Sequence, residues 1–135
     1  MYKNKFQILL AIMVLMVSVL ACNASYSSAK ITDAYMTANS DGSGKTSVFS
    51  DDQTFYCIVI VANAPDDTSL KAVWTAVDVA DVDSGLVLDE IEITTNGQNE
   101  FTFNLQNDML WPMGTYKVDV YMNDKLEQTL EFQVQ

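Results

Sequence analysis

The sequence predicts an all-β domain: about seven strands in two antiparallel sheets packed face to face, preceded by a helical signal segment. Three observations carry this expectation. Strand-length segments recur between turn residues along the 135-residue chain, and helical spacing of apolar residues is almost absent after the opening segment. The three segments nearest the C-terminus alternate apolar and polar residues with period two. Residues 55–62 are apolar on both alternating faces, as a centrally buried strand requires.

The chain opens on Lys3 and Lys5, then an apolar run from Ile8 to Val17 that resumes after Ser18 and ends at Val19-Leu20-Ala21-Cys22. A charged start, a short apolar middle and a small residue at the exit describe a secretory signal peptide. A bilayer-crossing helix needs roughly 20 residues, more than the apolar stretch 6–20 supplies. Two alternatives stay open: plain secretion with cleavage after Ala24, and an uncleaved membrane helix. The cysteine directly after Ala21 is similar to a bacterial lipoprotein signal, which implies that Cys22 is lipidated and becomes the mature N-terminus. The expected organisation is therefore 1–21 signal, 22–29 tether and 30–135 β-sandwich. The tether holds three serines in eight residues and spans at most about 29 Å.

Within the domain, residues 31–36 read as a first strand, followed by the polar stretch Asp41-Gly42-Ser43-Gly44. Residues 46–49 are expected to extend the same sheet edge. Residues 55–62 form the central strand, ended by Ala64-Pro65-Asp66-Asp67. Residues 71–79 form another, with a turn over 81–85, and residues 87–94 follow with Ile91 and Ile93 as inward candidates. Asn96-Gly97 is a strong turn signal. Phe101, Phe103 and Leu105 then share one face; so do Tyr116, Val118, Val120 and Met122, and Leu130, Phe132 and Val134. Asn123-Asp124 suits a tight hairpin between the last two strands. Seven such strands cannot all bury their apolar faces in one sheet, so two packed sheets follow.

Trp111-Pro112-Met113-Gly114-Thr115-Tyr116-Lys117-Val118 resembles the start of the penultimate strand of immunoglobulin-like domains. The resemblance implies a structural role for Pro112, Gly114 and Tyr116, whose hydroxyl would tie the preceding corner to the sheet. It also implies a disulfide-free member: Val118 stands where a second cysteine would sit, Cys57 sits where its partner would be, and Trp74 lies on the following strand. More narrowly, Lys71-Ala72-Val73-Trp74 with residues 116–123 and 129–134 resembles small bacterial lipoproteins carrying one such domain. The likeness covers about residues 31–135. Alternation sets Trp74 opposite Val73, Val77 and Val79, which leaves two readings open: facing outward or filling the core.

Composition excludes several functions. The chain holds 18 acidic and seven basic residues, no histidine and a net charge of −11. Loss of the first 21 residues removes two lysines and makes the charge −13. Nucleic acid needs clustered positive charge, and anionic headgroups repel an acidic domain, so membrane contact would run through the lipid on Cys22. Without histidine there is no imidazole base and no triad of the usual kind. The segment Asp41-Gly42-Ser43-Gly44-Lys45-Thr46 lacks the spacing of a phosphate loop. The acidic pairs Asp51-Asp52 and Asp66-Asp67 read as solvated strand ends. No enzyme activity and no cofactor are expected. With Cys22 lipidated, Cys57 has no disulfide partner and reads as a buried small hydrophobe.

The remaining site candidates are few. Asp78, Asp81 and Asp83 with Gly85 supply a fragment of a calcium loop, against the plain reading of a charged hairpin turn. Trp111, Tyr121 and Trp74 are candidate partner contacts, with Trp111 alternatively capping the core. The expected function is a non-catalytic, lipid-anchored module on the outer side of a bacterial membrane, binding a protein partner or serving as an accessory subunit. The alternative is a carbohydrate- or calcium-binding adhesion domain.

Overall fold

The structure is a computed structural model that describes residues 28–135, and the signal segment and Cys22 lie outside them. All regular structure among the described residues is strand: β1 (Lys30–Thr37), β2 (Val48–Phe49), β3 (Phe55–Ala62), β4 (Ser69–Val79), β5 (Leu86–Thr94), β6 (Glu100–Leu105), β7 (Gly114–Met122) and β8 (Lys125–Val134). They form a three-stranded sheet, β1-β3-β6, and a five-stranded sheet, β2-β8-β7-β4-β5. The alternating segments become half-buried strands. Phe101, Phe103 and Leu105 face in from β6, as do Tyr116, Val118, Val120 and Met122 from β7. β3 is the middle strand of its sheet, with Phe55, Cys57, Val59 and Val61 in the core.

One expectation is corrected. Residues 46–49 do not simply extend the first edge. Lys45 bridges Thr37 and the Thr46 amide donates to the Met36 carbonyl, but the chain then crosses to the other sheet. There Val48 and Phe49 pair in parallel with Gln133 and Val134, adding an eighth strand. Phe49 accounts for the crossing: it is buried against Phe55 and Phe132, with ring centroids 4.9 and 5.5 Å away.

The two readings of Trp74 are decided in favour of the core, where it is 0% exposed. Its ring meets Phe132 edge-on at 6.0 Å. Simple alternation fails because β4 is bulged. Against β7 the register passes from Ala76↔Tyr116 to Asp78↔Thr115, leaving Val77 as the extra residue. The extra residue resets the parity, so Leu70, Ala72, Trp74 and Ala76 face inward and Val79 does too.

Register also fixes the two ends of the sandwich. Lys30 pairs with Ala62 at one pole. Phe55 pairs with Leu105, Val79 with Gly114 and Gly114 with Val134 at the other. The chain therefore enters the domain at one pole, and the loop 106–113 lies at the opposite one, about 35 Å away along an 11-residue strand.

Candidate functional site

The loop joining β6 to β7 is tied by hydrogen bonds to two neighbouring turns. Asn107, Asp108 and Pro112 bar it from continuing as strand, so its backbone groups need other partners. They find them. The Trp111 amide donates to the Asp51 carbonyl at 2.7 Å, and the Ala80 amide donates to the Met113 carbonyl at 3.3 Å. The Trp111 indole Nε1 donates to the Gln53 carbonyl at 2.9 Å, and the Tyr116 hydroxyl donates to the Pro112 carbonyl at 2.6 Å. The loop is thus tied to the 50–53 turn on one side and the 80–84 turn on the other.

Trp111 is the plug of this pole. It is 9% exposed and lies 4.7 Å from the Phe55 ring and 6.1 Å from Tyr116. This is the capping arrangement, and it leaves little indole surface for a partner. Tyr116 stacks on Phe132 at 5.6 Å, and burial pushes its phenol above its ordinary pKa. Gly114 opens β7 beside its pair partner Val79 at the end of β4: its φ is +146°, and a Cβ there would lie 2.3 Å from the Asp78 carbonyl oxygen.

The other candidates fall elsewhere. Tyr121 is half-buried on the outer face of the five-stranded sheet, beside Lys71, whose Nζ lies 4.9 Å from its ring centre. Lys71 also approaches Glu90 at 3.7 Å and Asp124 at 3.9 Å. On the same sheet Asp119 is buried, bonded to Thr129 at 2.6 Å and paired with Lys117 at 2.9 Å. Trp74, being in the core, presents nothing outward, and its Nε1 has no hydrogen-bond partner among the described residues.

Asp78, Asp81 and Asp83 do not converge: no three metal-ligating side chains gather among the described residues. Asp78 is an exposed strand residue, while Asp81 adopts a positive φ within the turn that returns the chain into β5. The Asp41 loop closes on itself, with Asp41 accepting from the Ser43 hydroxyl at 2.6 Å and its amide at 2.9 Å. Those bonds hold the Asp41 carboxyl below its ordinary pKa. Cys57 is fully buried, and burial pushes its thiol up to about 12. A groove of about 380 Å³ runs between the β1 and β8 edges, lined by Tyr35, Met36, Lys45, Thr46, Leu130 and Glu131 among others.

Sequence reasoning passed over the side chains next to Trp111. Met109, Leu110 and Met113 are 76%, 63% and 61% exposed, three of the most exposed large apolar residues described. A signal was present: four apolar residues in five within a segment that Asn, Asp and Pro exclude from strand.

No protein-family model and no curated protein matches the chain. Its fold has solved counterparts. An immunoglobulin-like protein from Pseudomonas aeruginosa superposes with a TM-score of 0.57 at 14% identity, over 83% of this chain and 100% of that one. A Pseudomonas fluorescens alkylpurine DNA glycosylase bound to DNA gives 0.50 at 14% identity, over 81% of this chain but 31% of the enzyme. A Listeria innocua β-glucosidase gives 0.51 at 15% identity, over 81% of this chain but 16% of the enzyme. At these identities the likeness is one of fold alone: an immunoglobulin-like β-sandwich.

Proposed function

We propose that this chain is a non-catalytic immunoglobulin-like module, held by a lipid on Cys22 at the outer side of a bacterial membrane and serving there to bind a protein partner. What carries the reading is the pairing of two features. The opening segment has the signature of an exported, acylated protein. Behind it stands a closed sandwich whose largest aromatic side chains are committed to its own core. Absence of histidine and the scatter of the carboxylates argue against hydrolytic or metal chemistry. The mechanism is confinement: a short tether keeps the domain near membrane-associated partners and raises their effective concentration. Stable anchoring needs about two hydrocarbon signals, which a bacterial lipoprotein cysteine supplies.

Intact-mass analysis of the native membrane form tests the anchor. The expected species begins at Cys22 and carries the mass of its acyl chains; one retaining Met1, or beginning at Ser25, overturns it. Co-purification after mild detergent extraction tests the module. A partner should be retained by the native protein and lost with Cys22→Ala, and equal recovery from both overturns the tethering mechanism.

A further inference from the structure

The geometry points to the pole opposite the chain entry, built around the loop 106–113, as a docking surface for a cationic protein segment that presents apolar side chains between lysines or arginines. This deepens the tethered-module reading and rests on it. Three observations converge on that surface. First, the second half of the loop is fixed by four hydrogen bonds through Trp111, Met113, Pro112 and Tyr116, so less ordering remains to be done on binding. Second, the same loop buries Trp111 and turns Met109, Leu110 and Met113 to solvent. Methionines on a rigid base make an adaptable apolar contact surface. Third, the three turns that meet here, 50–54, 80–84 and 106–113, carry Asp51, Asp52, Asp81, Asp83 and Asp108 and no lysine. The fourth loop at this pole, 38–47, adds Asp41 and Lys45, which offset one another, and Lys45 lies 4.4 Å from the Tyr35 ring.

Charge decides the occupant. A second copy of this chain would bring two such sets of aspartates face to face, which is repulsive. An anionic lipid surface meets the same repulsion, and this pole lies away from the entry of the chain. A basic segment with apolar anchors satisfies both the Met and Leu side chains and the surrounding carboxylates.

The test uses the full chain in neutral detergent micelles with 13C-methyl methionine, titrated with a hexapeptide alternating lysine with leucine or phenylalanine. The expected result is saturable movement of the Met109 and Met113 methyl signals, with those of buried Met36 and Met122 unmoved. Followed at Met113, affinity should fall at least fivefold in Met109→Ser/Leu110→Ser, and again in Asp81→Asn/Asp83→Asn/Asp108→Asn. Salt should weaken it likewise. Equal binding of the peptide with glutamate in place of lysine overturns the proposal, as do unmoved methyls or indifference to both variants. A photo-cross-linking residue placed in cells at position 110, and separately at 124, separates two failures. A membrane partner captured only from 124 overturns this pole and leaves the tethered module standing. Capture from 110 that persists unchanged with Cys22→Ala keeps the pole and overturns the tether.

Discussion

Tyr116→Phe removes one oxygen atom from the most tightly tied corner of the sandwich, and its consequence can be worked from the structure. The ring keeps its place: stacking on Phe132 at 5.6 Å and contact with Phe55 and Trp111 at 6.1 Å are available to phenylalanine. No cavity term of the large-to-small kind therefore arises. What disappears is the 2.6 Å bond to the Pro112 carbonyl. Pro112 is exposed, so water can reach the abandoned acceptor, and the net value of a hydrogen bond applies rather than the penalty for a dry orphan. The expected loss is about 1–1.5 kcal/mol, which corresponds to roughly 4–10 °C in Tm for a domain near 100 residues. Urea unfolding followed by tryptophan fluorescence reads it as a lower midpoint at unchanged slope. Tyr121→Phe, on the outer face beside Lys71, is the control and should stay within about 0.5 kcal/mol. A Tyr116→Phe midpoint indistinguishable from this control would refute the corner as a source of stability.

Gly114→Ala should be more damaging, about 2–4 kcal/mol by the same assay, because its Cβ would meet the Asp78 carbonyl oxygen at 2.3 Å at a φ few other residues adopt; a loss under about 1 kcal/mol would contradict the close approach. Trp74→Phe and Trp111→Phe remove the same ring volume with opposite polar consequences. The first deletes a buried N–H that lacks a partner, the second a bond to Gln53, so Trp111→Phe should lose about 1–2 kcal/mol more than Trp74→Phe. Cys57 sets an alkaline limit. Its raised pKa means the fold favours the neutral thiol, so its contribution is complete below pH 9 and is lost towards pH 12, at up to about 1.4 kcal/mol per pH unit. Cys57→Ala should flatten that decline in urea titrations between pH 8 and 11, and parallel curves would count against it. Millimolar calcium should leave the melting temperature unchanged, since Asp78, Asp81 and Asp83 do not gather; a rise of several degrees would reinstate a cation site.

Much of the sandwich was legible because strands buried on one face write their orientation into the sequence. Phe101, Phe103 and Leu105 could face only one way, and so could Val118 and Val120 on β7. Trp74 was left open between core and surface for a reason that composition does not record. The bulge at Val77 depends on how β4 meets β7, and counting residues along one strand cannot see it. The crossing of residues 46–49 was hidden similarly, since a two-residue strand has no period and only the packing of Phe49 reveals its sheet. At the candidate docking surface, Trp111 left both readings open, because an indole beside a proline caps a core or meets a partner with equal ease. The hydrogen bond to Gln53 and the contact with Phe55 decide it, and both join segments more than 50 residues apart. Met109 and Leu110 were passed over because they belong to no strand pattern.

The separation of the two poles also bears on how the domain would carry load under the proposed function. If the proposed anchor holds the chain where β1 begins and the proposed partner grips it where β6 gives way to β7, tension would run lengthwise down the strands. The backbone ladder joining β1 to β3 would then be sheared as a set instead of peeled rung by rung, and β3 passes the strain on to β6. A domain wired in this way can act as a stiff strut between a fixed point and a moving one.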